Sequence, residues 1–475
     1  MRFRIPGSLS LIVGSLTALG AGHLSAESAT ACTRYAATTG NDAASGTATA
    51  PYRTAQKLAS SLTAGEVGCL EPGTYEENLR VGRGGAPGNP ITITSTPGGP
   101  RATVRGRLVV VDSANDVTIA DLVLDGRSAT GQPSPAVNGD RVTFSGNEVT
   151  NFNTGICFIV GDPVFGRALD DVIDGNRIHG CGQIPSTNLH HGIYVDEADG
   201  LRITNNYIYD NADRGVQLYP NAQGTLVAGN VIDGNGEGVI FGGAAGSASS
   251  NNTVRDNIIT NSSIRHNVES SWPGPVGTGN VLVHNCVFGG RSGNVQSPQV
   301  GFSASGTIVA DPLYVNRAAK DFTLRSGSPC AGLGPAFVPA PPGAPAGVVG
   351  VPAAPGPVGG SPGQPSASPS GRARSSRLVH FVFHGVLRGK ATRAGIRLRV
   401  RSANRYGRRA LAGTRTVSLR LDRASVLRKG TGHRARPATL RAGDRVVARV
   451  RAPLGTPAAS LPALRLLVDL GPRRR

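Results

Sequence analysis

An asparagine followed two positions later by valine or isoleucine recurs at Asn147, Asn176, Asn206, Asn230, Asn257 and Asn285, at intervals of 29, 30, 24, 27 and 28 residues. A period of this size marks stacked repeats, because each unit can bury its apolar side only against its neighbours. Around each asparagine, short runs such as DDVIDGNRIHGCG, LRITNNYIYDNADRGVQLYP and TLVAGNVIDGNGEGVIFGG alternate β-branched residues with Gly, Asn and Asp. That pattern excludes a helical solenoid. A coil of three short strands joined by polar bends fits a right-handed parallel β-helix. The asparagines are expected to stack as an internal ladder at one bend, where Asn tolerates left-handed backbone and its amide bonds along the column.

A second register follows each ladder residue: Gly155-Ile156, Gly192-Ile193, Gly215-Val216 and Gly238-Val239. Aligning these pairs puts Ile156, Ile193, Val216 and Val239 inward, with Phe158, Val195, Leu218 and Phe241 behind them, because strand side chains alternate with period two. The outward columns are then Cys157, Tyr194, Gln217, Ile240 and Ile159, Asp196, Tyr219, Gly242, and the preceding turn stacks Thr154, His191, Arg214 and Glu237. With coils about 4.8 Å apart, these polar residues are expected to share one outward patch. An insertion at roughly 180–190 lengthens the Asn176-to-Gly192 spacing to 16 residues and predicts a loop at the rim of that face.

Charge separates the chain into parts. The formal charge is +19, yet from Gly371 to Arg475 there are 27 Lys plus Arg against 3 Asp plus Glu, leaving 22 basic and 27 acidic residues elsewhere. The N-terminus reads as a secretory signal peptide, 1–26: Arg2 and Arg4 precede an apolar run from Leu9 to Leu19 that ends in small residues. No other segment is apolar over the length a membrane helix needs. Export makes the six cysteines disulfide partners; chain order suggests Cys32–Cys69, Cys157–Cys181 and Cys286–Cys330 among about fifteen pairings. Pro51 to Leu62 reads as an amphipathic helix placed to cap the stack. The β-helix is expected over 32–333. A Pro/Gly/Ala-rich linker follows over 334–376. Arginine-alternating strands such as GIRLRVRSA and GDRVVARVRAP then predict a small basic β-barrel, OB-like, over 377–471.

The strings TGNDAASGT, PYRTAQKLA and EPGTYEENL, with HHGIYV and RGVQLYP, resemble the right-handed β-helix repeat family of secreted bacterial proteins, which includes polysaccharide lyases and uronate epimerases. The resemblance covers about residues 34–333. It implies an all-β, secreted or cell-wall-associated monomer that binds an acidic polysaccharide or wall polyanion on an outward strand face, and cleaves or epimerises it. Nucleic acid is not expected as a partner. On that reading Arg214 would neutralise a uronate carboxylate, His191 would be the base, and Tyr194 or Tyr219 would donate the proton. His190, Gln217 and Glu237 would contact substrate, and Asp196, Glu197 and Asp199 would hold Ca2+ if any metal binds. Lysine in the β-helix is confined to Lys57 and Lys320, which disfavours a lysine-based lyase. Polygalacturonase signatures are echoed only by Asp170-Asp171 and His191-Gly192, which disfavours hydrolysis by paired carboxylates, and the Asp-Pro-His-Asp signature of alginate epimerases is missing. Activity stays open: the alternative is a non-catalytic adhesion or structural β-helix, with His191 a polar turn residue and Arg214 a surface ion-pair partner of Asp210 or Asp213.

Overall fold

A computed structural model describes residues 31–129, 131–244, 246–270, 274–296 and 301–335, and in the C-terminal part 378–389, 396–403, 411, 415–419, 425–428, 441, 444–453 and 465–469. The signal peptide read at 1–26 and nearly all of the linker lie outside these residues.

Short strands from Arg34–Ala36 to Ile308–Val309 are laid into three long sheets of 11, 10 and 10 strands. Each strand pairs in parallel with its equivalent one coil later, as in Val172–Asp174, Arg202–Thr204, Leu226–Ala228 and Thr253–Arg255. This is the expected parallel β-helix. Between the sheets the chain bends sharply, and at one bend the left-handed residues are Gly146, Gly175, Asn205, Gly229, Asp256 and His284. Each sits immediately before a ladder asparagine, so the left-handed geometry expected of the ladder residue belongs to its predecessor.

The ladder itself is continuous. Nδ2 of Asn147, Asn176, Asn206, Asn230 and Asn257 donates to Oδ1 of the next asparagine at 3.0, 3.0, 3.0, 2.8 and 2.9 Å. Each Nδ2 also donates to a carbonyl one coil back, and each Oδ1 from Asn176 onward accepts the backbone N–H of the preceding asparagine. All six side chains are buried, and full pairing offsets the cost of removing them from water. Shorter ladders, Asn211 to Asn235 at 2.8 Å and Asn252 to Asn280 at 2.9 Å, occupy other bends.

Helix Ala55–Ser61 lies on the first coil, with Thr54 as N-cap and the Glu77 carboxylate accepting from the Ala55 and Gln56 amides. Its buried residues Ala55, Leu58 and Ala59 face the core, which gives the stack the apolar cover that the sequence pattern predicts. At the other end the chain turns back as a hairpin of Tyr314–Asn316 and Asp321–Leu324. Phe322 packs on Tyr207, Tyr209 and Tyr314, Arg317 pairs with buried Asp233 at 2.8 Å, and Cys330 is joined to Cys286. Cys32–Cys69 and Cys157–Cys181 are the other disulfides, matching the pairing read from chain order.

The C-terminal part is a separate six-stranded sheet. Its pairs are antiparallel apart from Ser425–Arg428 with Arg465–Asp469, an arrangement compatible with a small barrel.

Candidate functional site

The face singled out in the sequence belongs to the sheet containing Phe158–Val160, Ile193–Asp199, Arg214–Gln223, Glu237–Phe241 and Val268–Glu269. Tyr194 lies opposite Gln217, Gln217 opposite Ile240, Ile240 opposite Glu269, and Arg214 opposite Glu237. One rung departs from the expected register: Phe158, not Ile156, pairs with Ile193, and Ile159 precedes Tyr194 in its column. The cause is local. Thr154–Gly155 swings out to pair antiparallel with Gly182–Gln183, and Cys157–Cys181 holds the excursion to the inserted loop. A further register shift between Val195 and Glu197 sets Asp196 beside the bulged Tyr219-Pro220 step.

The polar residues do gather, but as a covered network and not as an open patch. Arg214 is 0% exposed and His191, Gln217, Glu237 and Asp196 are also buried, while Tyr194 and Tyr219 are partly exposed. The loop over 180–190 covers Arg214. Asp213 accepts the amides of Asn188 and His190 at 2.9 and 2.7 Å and the hydroxyl of Ser186, drawing the loop down onto the sheet. Arg214 donates Nη1 to the Asn188 carbonyl at 3.0 Å, Nη2 to Asn188 Oδ1, and Nε to Glu237 at 2.9 Å. It is therefore a buried ion-pair residue, not the exposed neutraliser of a substrate carboxylate, and its partner is Glu237 instead of Asp210 or Asp213. Asp210 pairs with Lys320. His190 contacts Thr187 Oγ1 through Nδ1 at 2.7 Å.

The network continues one coil further. Arg265 bridges Glu237 at 3.4 Å and Glu269 at 2.9 Å, and His266 Nδ1 meets Glu269 at 2.8 Å. Burial pushes the Glu237 carboxyl up to about 7, opposed by Arg214 and reinforced by Glu269. Burial, the Arg214 charge and His190 together hold the His191 imidazole well below its ordinary pKa, so it is neutral. Its ring meets Tyr194 edge-on at 5.6 Å, and Tyr194 stacks on Tyr219 at 6.4 Å with 19° between planes. Burial and Asp196 raise the Tyr194 hydroxyl above its ordinary pKa. Arg214 N–H donates to His191 Nδ1 at 3.5 Å, a contact that leaves the proton of the neutral ring on Nε2.

Asp196, Glu197 and Asp199 do not converge. Successive strand residues face opposite ways, and Glu197 is taken up by Arg167 at 3.1 Å and Asn221 at 2.8 Å. Among the described residues no group of three or more His, Cys, Asp or Glu could hold a metal ion. Asn188, Arg265 and Glu269 are the network residues that sequence reading misses. Glu269 could have been found by extending the Gln217 column one coil, but Asn267-Val268 there replaces the Gly-aliphatic marker.

Residues 136–307 match the family model described as right handed beta helix region. With the parallel coils described above, the match identifies the fold of this part of the chain as a right-handed parallel β-helix. A curated relative, the uncharacterized protein YwoF of Bacillus subtilis (strain 168), is 25% identical over 232 residues, 47% of this chain and 46% of its own, so the chain spans about half the length of the curated relative it matches. Solved structures of similar shape include pectate lyase Pel9A, with 12% identity, 66% of this chain and 95% of that chain covered, and a TM-score of 0.47. A rhamnogalacturonan lyase gives 13% identity, 60% and 91% coverage and a TM-score of 0.42. Likeness at this level concerns the fold alone.

Proposed function

We propose that the β-helix is an extracellular reader of polysaccharide, engaging sugar rings on the outward face that carries Tyr194 and Tyr219. The near-parallel, partly exposed tyrosine pair carries this reading, since aromatic faces present apolar area with a polar edge to sugar rings. Three disulfides fit an oxidising compartment, and no helix among the described residues is long and apolar enough to cross a membrane. With Arg214 sealed and neutralised, binding is favoured over turnover.

A lyase or epimerase reading is favoured by one observation, the neutral His191 packed against Tyr194. It requires the loop over 180–190 to lift, so that His191 meets the substrate.

Titration of the full chain with polygalacturonate, alginate and a neutral glucan at about 0.5 M salt, where charge attraction is screened, tests the reading. Tyr194→Ala and Tyr219→Ala are each expected to weaken binding about tenfold. Equal affinity in wild type and both variants would sink it. New absorbance near 235 nm that disappears in His191→Ala would establish the lyase reading in its place.

A further inference from the structure

The C-terminal sheet carries its charge differently from the β-helix. Along Ile396–Ala403, Ile396, Leu398 and Val400 are buried while Arg397, Arg399 and Arg401 are exposed. Strand alternation therefore places three guanidinium groups on one face, about 6.8 Å apart. The row through Arg399 runs Thr416, Arg399, Val386, Arg445, Asp469 in register, so exposed Arg445 stands on the same face two strands away, with Asp469 beyond it. Opposite Arg397 is exposed Ser418. Every ion pair among the described residues lies between Arg34 and Lys320, and none involves this sheet. From Gly371 to Arg475 there are 25 arginines and 2 lysines.

Unpaired exposed cations at regular spacing destabilise a sheet through like-charge repulsion unless an anion covers them. Arginine's planar fork grips carboxylates in pairs of parallel hydrogen bonds, which lysine cannot do. The described outward residues on these strands are Val386, Arg397, Arg399, Arg401, Thr416, Ser418 and Arg445, without an aromatic ring on which a base could stack, as single-stranded nucleic acid requires.

We propose that the arginine face of the C-terminal sheet, centred on Arg397, Arg399 and Arg401, is a second carbohydrate site that grips the carboxylates of an acidic polysaccharide. The choice of a sugar polymer rests on the function proposed for the β-helix. The two faces then divide recognition: the tyrosines read rings, the arginines read charge, and their joining in one chain raises the effective concentration of polymer at each.

Affinity of the full chain for polygalacturonate, measured between about 0.05 and 0.5 M salt, tests the assignment. In R397Q/R399Q/R401Q the slope of log K against log salt is expected to fall by about two, with affinity at the lowest salt down about 100-fold. Binding at the highest salt stays unchanged, because the tyrosine face carries it. The charge-conserving R397K/R399K/R401K is expected to retain the wild-type slope. Circular dichroism and the melting transition confirm that the variants are folded. A wild-type slope in the Gln variant, or a lost slope in the Lys variant, overturns the proposal, as does binding of oligo(dT) as tight as that of polygalacturonate. Tyr194→Ala fails or succeeds on the high-salt measurement alone, so the two sites are separable.

Discussion

The β-helix and the C-terminal sheet both take arginine as their main cation and make opposite use of it. In the β-helix arginine is an internal tie: Arg214 is buried against Glu237 and Asn188, Arg101 reaches Asp121 at 2.7 Å, and Arg141 grips Asp116 at 2.6 Å. In the C-terminal sheet Arg397, Arg399 and Arg401 stand exposed, with buried Leu398 and Val400 between them. The same side chain is structural where a coil supplies an acid one rung away, and a surface feature where none is supplied.

The sharpest way to break this contrast is to remove one arginine of each kind. Arg214→Met is expected to cost about 3 to 5 kcal/mol, because Glu237 stays buried without its main cation, and Arg214→Met with Glu237→Leu to recover most of it; urea unfolding monitored by circular dichroism reads both. Next in size, Asn206→Ala should cost roughly 2 to 3 kcal/mol by orphaning donors and acceptors in the ladder above and below it. A smaller effect depends on pH. Glu237 is held at about 7 against an ordinary value of 4.5, so its contribution to stability is greatest below the lower value and is lost as pH rises through the upper one. Glu237→Gln abolishes that titration, and the wild-type melting temperature should therefore drop relative to Glu237→Gln between about pH 5 and 8. The smallest change belongs to the exposed class: Arg399→Ala should stay within about 0.5 kcal/mol of wild type.

How much of this was legible in the sequence varies with how local the cause is. The ladder could be read because every coil makes the same demand at the same bend, and Asn176, Asn206 and Asn230 answer it identically. The pairing of Ile193 with Val216 and Val239 followed from the Gly-aliphatic marker. The rung at Phe158 did not, because the outward swing of Thr154–Gly155 breaks the local spacing. Burial of Arg214 was invisible for another reason: what covers it is Asn188, in a loop whose path is set by Asp213 and a disulfide, and alternation along the strand carries no information about a lid. Membership of the charge network by Arg265 and Glu269 depends in turn on the coil after Glu237, where the marker lapses.

The hairpin at the end of the β-helix bears on how the molecule carries load. Gly334 donates its backbone N–H to Asp256, and Cys330 is bonded to Cys286, so the chain departs from the flank of the solenoid and not from its last coil. Tension applied at residue 335 meets a covalent anchor and a sideways shear across the Tyr207, Tyr209 and Phe322 contacts. The final coils, which a pull from their own edge would unzip one rung at a time, are spared that peeling force. A β-helix held to a polymer at one point and tugged through its C-terminal extension would thus resist as a riveted sheet does, by the strength of the rivet, before any coil begins to open.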